Sequence, residues 1–364
     1  MAHTIVHLIA AARPNFMKVA PLYHALSGTD WCDVKLVHTG QHYDANMSDV
    51  FFRDLRLPEP DFHLEVGSGS HAAQTGGVMI AYERVCMEHR PDIIVVVGDV
   101  NSTAACAMVG TKLWIPVVHL EAGLRSGDNR MPEEINRLIT DAIADVLWTP
   151  SPDANENLVA EGVDEHKIDL IGNIMIDSFE MLRAQIEASA ARQNLGLDGP
   201  YALVTLHRPS NVDNFEDLQP IVDALTRISA RIPVVFVAHP RTIKSLEKFG
   251  MRSQLENTVG FRLVDPMPYV DFMNLVTGST MALTDSGGLQ EETTYLGIPC
   301  LTLRENTERP ITVTMGTNKL VNAGSLEAEV ATILSGNWRT GERPELWDGK
   351  TALRAADCLR RRFA

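Results

Sequence analysis

The stretch DIIVVVGD (92–99) is a continuous run of apolar, mostly β-branched residues that stops at an acidic side chain. An unbroken run of this length, bounded by a Gly-Asp turn, is typical of a strand buried on both faces of a parallel sheet. Similar runs recur along the chain on both sides of it, separated by amphipathic segments. This alternation predicts an α/β fold in which helices cover both faces of parallel sheets.

The apolar runs fall into two groups of five. They are TIVHLIAA (4–11), DVKLVHTG (33–40), DIIVVVGD (92–99), IPVVHLEAG (115–123) and DVLWTP (145–150), then YALVTLH (201–207), IPVVFVAHP (232–240), FRLVDP (261–266), MALTDSGG (281–288) and IPCLTLRE (298–305). We predict two Rossmann-like, doubly wound parallel-sheet domains, 1–172 and 173–348, that face a cleft. A C-terminal helix, 349–364, follows, and we expect it to pack on the N-terminal domain. Open α/β sheets bind ligands at the carboxyl ends of their strands, so strand-end residues carry the most weight.

Composition limits the class of protein. The 364 residues are 45% hydrophobic and 22% charged, which is normal for a globular protein with a sizeable core. A net charge of −15 argues against nucleic-acid binding, which depends on Lys and Arg against phosphates. The five cysteines are scattered without a CxxC pair, which favours a reducing compartment. We find no signal-peptide pattern and no apolar stretch of membrane-spanning length, and predict a cytoplasmic protein without membrane contact.

Motifs for metal ions and common cofactors are missing. There is no HExxH, no Cys/His cluster at ligand spacing and no GxSxG nucleophile elbow. The turn after the first strand, AAARPNFMK (10–18), lacks the GxGxxG dinucleotide fingerprint. GSGSHA (67–72) fits that pattern formally but follows a weak, polar strand, and we interpret it as a connection. We therefore predict neither a metal ion nor a cofactor.

Charged residues collect at the strand ends of the first half. Arg13 and Lys18 frame the start of the first helix, where an anion contact is favoured over plain surface charge. Asp99 and Glu121 each follow a buried strand directly, and we expect both to reach one cleft. Neighbouring carboxylates raise one another's pKa and so supply usable acids and bases.

MPEEINR (131–137) opens a helix with Glu133, Glu134 and Arg137. Acid in a first helical turn complements the helix dipole, and Glu133 and Arg137 are spaced as a common surface pair, which is the structural alternative. The nearby strand-end carboxylates favour a role for these side chains in the same cleft.

In the second half, two His-Arg pairs follow successive strands: His207 with Arg208, and His239 with Arg241. This repetition favours an anion site over isolated polar residues. The segment DPMPYVDF (265–272) follows the next strand and brings Tyr269 and Phe272 within reach of a planar ring.

TDSGGLQEE (284–292) is the most specific local signal. Ser286, Gly287 and Gly288 place backbone N–H groups at a helix N-terminus, which suits a phosphate or diphosphate. A carboxylate in the turns that follow, Glu291 or Glu292, is then placed to accept the two hydroxyls of a ribose. A plain glycine turn followed by dipole-complementing acid is the structural alternative.

An ordered set of motifs resembles the non-hydrolysing UDP-N-acetylglucosamine 2-epimerases over about residues 5 to 320. The set is ARPNFMK, TGQHYDANM, GD followed by ST, HLEAGLRS, PEEINR, GN with IDS, LHR, DSGGLQEE and TERP. The family has the two-lobed fold of type-B glycosyltransferases and acts without a cofactor. The resemblance implies elimination of UDP across C1–C2 of the sugar and re-addition after proton transfer at C2.

The resemblance also implies a role for each matched residue. Asp99, Glu121 and Glu133 become catalytic carboxylates, with Glu121 or Glu133 as the C2 base, and His207 the active-site histidine. Arg13, Ser286 and Gly287 hold phosphates, Glu292 takes the ribose hydroxyls, and Phe272 lies by the uracil. Lys18, Arg137 and Arg309 match further cleft positions. The implied partners are a UDP-sugar, UDP and a second copy of the chain in a homodimer.

The sequence departs from the family pattern at three places. Ala11 replaces a glycine of the first turn, and Ser210 stands where the histidine motif usually has a glutamate. Gln41 and His42 remain in TGQHYDANM, but the motif differs from that of members activated by their own substrate, and resembles relatives acting on UDP-diacetamido-uronic acids. The alternatives are an epimerase of such a sugar, a hydrolysing 2-epimerase, a type-B glycosyltransferase or an inactive nucleotide-sugar sensor.

Overall fold

The structure is a computed structural model that describes residues 3–11, 13–40 and 54–364, with the backbone alone for Arg13 and Pro14. The chain divides into two compact units. The first contains Met1–Met181 and Glu345–Ala364, and the second contains Leu182–Pro344. Each unit is built around its own parallel sheet.

The sheet of the first unit has seven strands in the order β3-β2-β1-β4-β5-β6-β7 among the residues described. They are β1 (Thr4–Ala10), β2 (Cys32–His38), β3 (Phe62–His63), β4 (Ile93–Val97), β5 (Val117–Leu120), β6 (Val146–Thr149) and β7 (Ile168–Leu170). All neighbours in this sheet pair in parallel.

The sheet of the second unit has six parallel strands in the order β10-β9-β8-β11-β12-β13. They are β8 (Ala202–Thr205), β9 (Val234–Val237), β10 (Phe261–Val264), β11 (Met281–Thr284), β12 (Cys300–Leu303) and β13 (Asn318–Val321).

Helices connect the strands in both units. In the described part of the chain they are α1 (Arg13–Ser27), α2 (His71–Glu88), α3 (Asn101–Lys112), α4 (Pro132–Ile143), α5 (Pro152–Ala160), α6 (Ile174–Ala188), α7 (Ala191–Asn194), α8 (Pro209–Val212), α9 (Phe215–Ser229), α10 (Pro240–Lys248), α11 (Arg252–Glu256), α12 (Tyr269–Gly278), α13 (Gly287–Leu296), α14 (Pro310–Thr314), α15 (Leu326–Leu334) and α16 (Thr351–Phe363), with a 3₁₀ turn at Glu165–Lys167. The C-terminal α16 packs against α1 of the first unit. Its start is fixed by the Asp177 carboxylate, which accepts the backbone N–H groups of Thr351 and Ala352 at 3.1 and 2.8 Å.

The central strands are buried because their residues are apolar on both faces. All five residues of β4 are buried, and Val97 lies opposite Leu120 of β5 in the ladder. Asp99 and Glu121 therefore follow two neighbouring strand ends. In the second unit Thr205 of β8 lies opposite Thr284 of β11, so His207 and Asp285 follow neighbouring ends too. The strand order reverses at β8 and β11, where open α/β sheets bind ligands.

The prediction of two parallel α/β sheets is confirmed, and all ten predicted strands are present. Two short strands, β7 and β13, were not predicted. Like β3, which the sequence showed only as a weak, polar strand, each lies at the edge of its sheet. The five cysteines are free and buried. Within the described residues, no helix combines the length and apolar character needed to cross a membrane. No cluster of His, Cys, Asp or Glu in that same part of the chain is arranged to hold a metal ion.

Candidate functional site

Glu121, directly after β5, is a buried carboxylate in a strained backbone conformation. Its φ is +72°, in the left-handed region that costs a non-glycine residue about 1–3 kcal/mol, and such strain collects at functional sites. The residue is 5% exposed, and its Oε2 pairs with Nζ of Lys18 on α1. Oε1 is also buried and accepts no hydrogen bond from any residue that the structure describes. Glu121 is thus held by one oxygen, while the other is unengaged by the side chains and backbone that the structure describes.

The turn between β4 and Asp99 brings helix α1 against the strand end. Gly98 has φ +69°, and a Cβ there would lie 3.4 Å from both Asn15 Nδ2 and Lys18 Nζ. The Asn15 amide donates to the Val97 carbonyl at 2.9 Å. The Lys18 ammonium therefore lies against the turn that carries Asp99, and it is the positive φ at position 98 that favours glycine.

Asp99 forms a two-point ion pair with Arg137 of α4. Its Oδ2 accepts from Nε at 3.1 Å and from Nη2 at 2.8 Å. Arg137 is 2% exposed, whereas the Asp99 side chain is 31% exposed. The amide of Asn136 also donates to the Asp99 carbonyl at 2.9 Å. The buried Arg137 thus orients the Asp99 carboxylate, while the rest of the Asp99 side chain reaches solvent.

The two glutamates that open α4 have different environments. Glu133 is exposed, and Glu134 is 2% exposed. The Glu134 carboxylate accepts from the backbone N–H groups of Ser126 and Gly127 and pairs with Arg137. Burial raises the pKa of Glu134, but these hydrogen bonds and the Arg137 charge together hold it below its usual value. Glu134 therefore anchors the loop before α4, and Glu133 is left free to face solvent.

A buried polar network that we did not predict lies beneath these turns. His119 of β5 is fully buried, with Nδ1 2.6 Å from Asp141 Oδ1 and Nε2 2.8 Å from the Gly98 carbonyl. Asp141 also accepts from the backbone N–H of Gly123 and pairs with Arg125. Despite burial, which raises it, the pKa of Asp141 is held below its usual value by His119, Arg125 and Gly123. In the sequence His119 is simply one residue of the predicted strand IPVVHLEAG (115–123). Its partner Asp141 lies 22 positions further on.

His207, after β8, forms a histidine–carboxylate pair with Asp285, after β11. Its Nδ1 lies 3.1 Å from Asp285 Oδ1, and its side chain is 41% exposed whereas that of Asp285 is 0% exposed. Asp285 also accepts from the backbone N–H groups of His207 and Arg208 and from the Asn211 amide. The ring of His239 lies 5.6 Å from that of His207, and His239 caps α10 by accepting from Arg241 N–H. The two predicted histidines are therefore neighbours.

The turn at Ser286 and Gly287 begins helix α13, as predicted. The Ser286 N–H donates to Thr284 Oγ1 at 2.9 Å, whereas the first N–H groups inside a helix have no partner within it. A Cβ on Gly287 would lie 2.7 Å from Arg309 Nη1 and 2.8 Å from Glu308 Oε1. The turn is thus packed closely against a buried charge cluster.

That cluster places Arg309 between two buried carboxylates. Its Nε lies 2.8 Å from Glu291 Oε2, and its Nη1 lies 2.6 Å from Glu308 Oε1. Arg304 pairs with the other oxygen of Glu308 at 2.8 Å. Burial raises the pKa of Glu308, but Arg309 and Arg304 together hold it well below its usual range. Arg309, predicted as a cleft residue, is in this structure a buried part of the support for the Gly287 turn.

Glu292 is a buried carboxyl group on the second turn of α13. Its Oε1 accepts from the Tyr269 hydroxyl at 2.6 Å. Burial raises the pKa of Glu292 to about 7; the Tyr269 hydrogen bond opposes this rise, and the Glu291 charge adds to it. Phe272, on the same helix as Tyr269, is half-buried. Tyr269 is therefore the hydrogen-bond partner of Glu292, and it lies on the same helix as Phe272.

Three predicted positions lie beyond what the structure describes. Arg13 begins α1, but its side chain is not described, so its phosphate contact stays a prediction. Gln41 and His42 lie outside the described residues.

The fold and these residues define an α/β protein with two parallel sheets and charged side chains gathered at the carboxyl ends of the strands. A family model described as UDP-N-acetylglucosamine 2-epimerase matches residues 24–360. The UDP-N-acetylglucosamine 2-epimerase of Methanocaldococcus jannaschii is 40% identical over 353 residues, which are 92% of this chain and 96% of that protein. The chain belongs to the UDP-N-acetylglucosamine 2-epimerase family, as the motifs predicted.

Two further comparisons bear on fold and substrate. The crystal structure of the Methanocaldococcus jannaschii enzyme in complex with UDP-GlcNAc and UDP has a TM-score of 0.89 and 39% identity, covering 98% of this chain and 100% of that one. A UDP-2,3-diacetamido-2,3-dideoxy-D-glucuronate 2-epimerase from Pseudomonas aeruginosa is 40% identical over 321 residues, 86% of this chain and 87% of that protein. The fold is shared with the first, while the second acts on a different UDP-sugar.

Proposed function

We propose that this chain is a non-hydrolysing UDP-N-acetylglucosamine 2-epimerase, which interconverts UDP-GlcNAc and UDP-ManNAc by inversion at C2. The observation that carries the proposal is the buried Glu121 carboxylate, paired with Lys18 through one oxygen and unengaged at the other within the described residues. The similarity to a relative of this name at 40% identity supports it.

The proposed reaction is an elimination followed by re-addition. The C2 proton is not acidic, because no ketone lies next to it. A carboxylate takes this proton, the C–H electron pair forms the C1–C2 double bond, and the C1–O bond breaks with its electron pair going to the diphosphate. UDP then adds back to C1 of 2-acetamidoglucal as a proton is delivered to the other face of C2. No electron acceptor is needed, since nothing is oxidised.

In this scheme the first unit acts on the sugar. Glu121 is the C2 base, with Glu133 as the alternative, and Asp99 is a second acid-base group. Lys18 and Arg137 act through the carboxylates with which they pair, Glu121 and Asp99. A positioned carboxylate contributes about 10²–10⁴-fold to such a proton transfer.

The second unit is proposed to hold UDP. His207, whose Nδ1 faces Asp285, donates to the leaving diphosphate through Nε2, with His239 beside it. The Ser286 side chain and the backbone N–H of Gly287 bind phosphate at the helix N-terminus, and Arg13 is a further proposed phosphate contact. Glu292 accepts the ribose hydroxyls, Phe272 lies by the uracil, and Arg309 supports the Gly287 turn.

A second candidate is the same reaction on a UDP-diacetamido-uronic acid. The 40% identity to the Pseudomonas aeruginosa relative favours it. Ser210, exposed on α8 where the family usually has a glutamate, removes a negative charge that would oppose a uronate. The ratio of kcat/KM for the two UDP-sugars decides between them.

The test of the reaction is isotope exchange without added cofactor. Incubated with UDP-GlcNAc in deuterium oxide, the protein is expected to place deuterium at C2 and to form the manno epimer, both read by proton NMR and mass. Free N-acetylmannosamine would instead indicate the hydrolysing reaction. Neither exchange nor epimer with both UDP-sugars would contradict the proposal. A homodimer in the cytoplasm stays a prediction; light scattering coupled to size exclusion tests the dimer.

A further inference from the structure

The buried network of His119 and Asp141 joins the two turns that carry Asp99 and Glu121. Nε2 of His119 lies 2.8 Å from the carbonyl of Gly98, the residue before Asp99. Asp141 accepts the backbone N–H of Gly123, two residues after Glu121, at 3.0 Å. The chain Gly98–His119–Asp141–Gly123 is therefore a hydrogen-bonded bridge.

Hydrogen-bond chemistry fixes the proton at one end of this bridge. The Gly98 carbonyl can only accept, so Nε2 of His119 carries a proton. At the other end, Nδ1 of His119 lies 2.6 Å from Asp141 Oδ1. Asp141 Oδ2 accepts from Gly123 N–H and faces Arg125 Nη1 at 2.7 Å. Both ring nitrogens of His119 thus have partners inside the sheet.

The Glu121 turn needs such support because its backbone is strained. Glu121 has a φ of +72°, whereas Gly98 takes its φ of +69° without strain because it has no Cβ. Strained conformations of this kind persist only where surrounding structure holds them. The bridge helps to stabilise the turns at Gly98 and Gly123 from the interior of the protein. It does not contact the exposed side of Asp99.

We propose that His119 and Asp141 are positioning residues that fix the separation of the Asp99 and Glu121 carboxylates for the epimerase reaction. This inference rests on the proposed function for its kinetic consequence. Neither side chain touches the substrate, so binding of UDP alone does not depend on them. Their effect falls on the chemical step, where a displacement of about 1 Å can cost about 10²-fold.

The experiment is a double-mutant cycle with His119→Gln and Asp141→Asn. In His119→Gln the amide nitrogen can still donate to Gly98, but its oxygen then faces the Asp141 carboxylate, two acceptors opposed. In the double variant the amide introduced by Asp141→Asn donates to that oxygen, and its own oxygen still accepts from Gly123, so the bridge is rebuilt without charge. His166→Gln is the matched control, since the His166 side chain is 71% exposed.

We expect His119→Gln to lower kcat about 10²-fold with KM and the Kd of UDP within about twofold, and the double variant to recover at least tenfold. A His119→Gln enzyme with unchanged kcat, or a double variant no better than His119→Gln, would overturn the positioning role. The wild-type ring is read separately by ¹⁵N NMR, whether or not the variants fold. A proton on Nε2 of His119 supports the bridge, and its absence from Nε2 overturns it. Because this signal needs no turnover, it separates failure of the bridge from failure of the proposed function.

Discussion

The Asp285 carboxylate lies 3.1 Å from Nδ1 of His207 and is completely buried, while the His207 ring reaches solvent. Burial raises the pKa of Asp285, but hydrogen bonds from His207, Asn211 and the Arg208 N–H hold it below its usual value. An ionised Asp285 accepts a hydrogen bond from the Nδ1–H group of His207. It therefore fixes the tautomer and the ring orientation in which Nε2 faces outward.

Replacing Asp285 by Asn should remove this control. The amide presents a donor or a weaker acceptor to Nδ1, so His207 loses its preferred tautomer and orientation. We expect kcat for epimerisation to fall about 10²-fold or more. The kcat of His207→Asn should fall by a similar factor. The kcat of the double variant should be no lower than that of His207→Asn, because the two residues act as a unit. Additive losses in steady-state kinetics would show that Asp285 acts apart from His207.

Gly287 and Gly288 offer a matched pair for the close packing of the helix start. A Cβ at 287 would lie 2.7 Å from Arg309 Nη1, whereas a Cβ at 288 meets nothing within 4 Å. We expect Gly287→Ala to lower the free energy of unfolding by about 1–3 kcal/mol and to weaken UDP binding, because the buried charge cluster must shift. Gly288→Ala should leave the free energy of unfolding within about 1 kcal/mol. Denaturant unfolding and calorimetric UDP titration measure both; equal losses in the two variants would refute the packing argument.

Glu292 makes nucleoside binding dependent on pH. Its pKa is raised to about 7, and the ionised carboxylate accepts hydrogen bonds from ribose hydroxyls more strongly than the protonated group, which is itself an O–H donor. We expect the affinity for uridine to rise about tenfold between pH 6 and pH 8. Uridine is the probe because it has no phosphate that titrates in this range. Glu292→Gln should bind weakly at both values, and a wild-type affinity that does not change with pH would contradict the assignment.

The same shift has a consequence for stability. A carboxyl group whose folded pKa lies near 7 and whose unfolded pKa lies near 4.5 favours the folded state in its protonated form. Its stabilising effect is present at low pH and is lost as pH rises from about 4.5 to 7. Relative to wild type, Glu292→Gln should therefore gain up to about 3 kcal/mol in free energy of unfolding between pH 4.5 and pH 8. Denaturant titrations at the two pH values measure the difference; a constant difference would exclude the shift.

The interior of the fold was predictable because central parallel strands are apolar on both faces. Val97 and Leu283 belong to short, continuous apolar runs, which are typical of strands buried on both faces of a parallel sheet. The two strands that we did not predict, β7 and β13, are short and lie at sheet edges, where one side is not paired. Ile168–Leu170 is half-buried throughout, and Asn318–Val321 mixes polar with apolar residues. Neither has the continuous apolar run on which the prediction depended.

The site was predictable where chemistry sits at a strand end, and less so where it depends on contacts through space. Asp99, Glu121, His207 and Ser286 follow strands directly, so the sequence alone placed them at the carboxyl ends of the sheets. The pairing of His119 with Asp141 joins positions that no local pattern connects. The burial of Glu134 beside an exposed Glu133 depends on the loop at Ser126 and Gly127. Such contacts arise only when the chain has folded.

The most direct test of the account is C2 deuterium exchange by Glu121→Gln, measured beside its affinity for UDP. The amide keeps the size of the side chain but cannot take a proton. We predict that exchange into UDP-GlcNAc falls at least about 10²-fold while the Kd of UDP stays within about twofold, with Glu165→Gln on the exposed 3₁₀ turn as a control. Exchange near the wild-type rate in Glu121→Gln would contradict the assignment of Glu121 as the base.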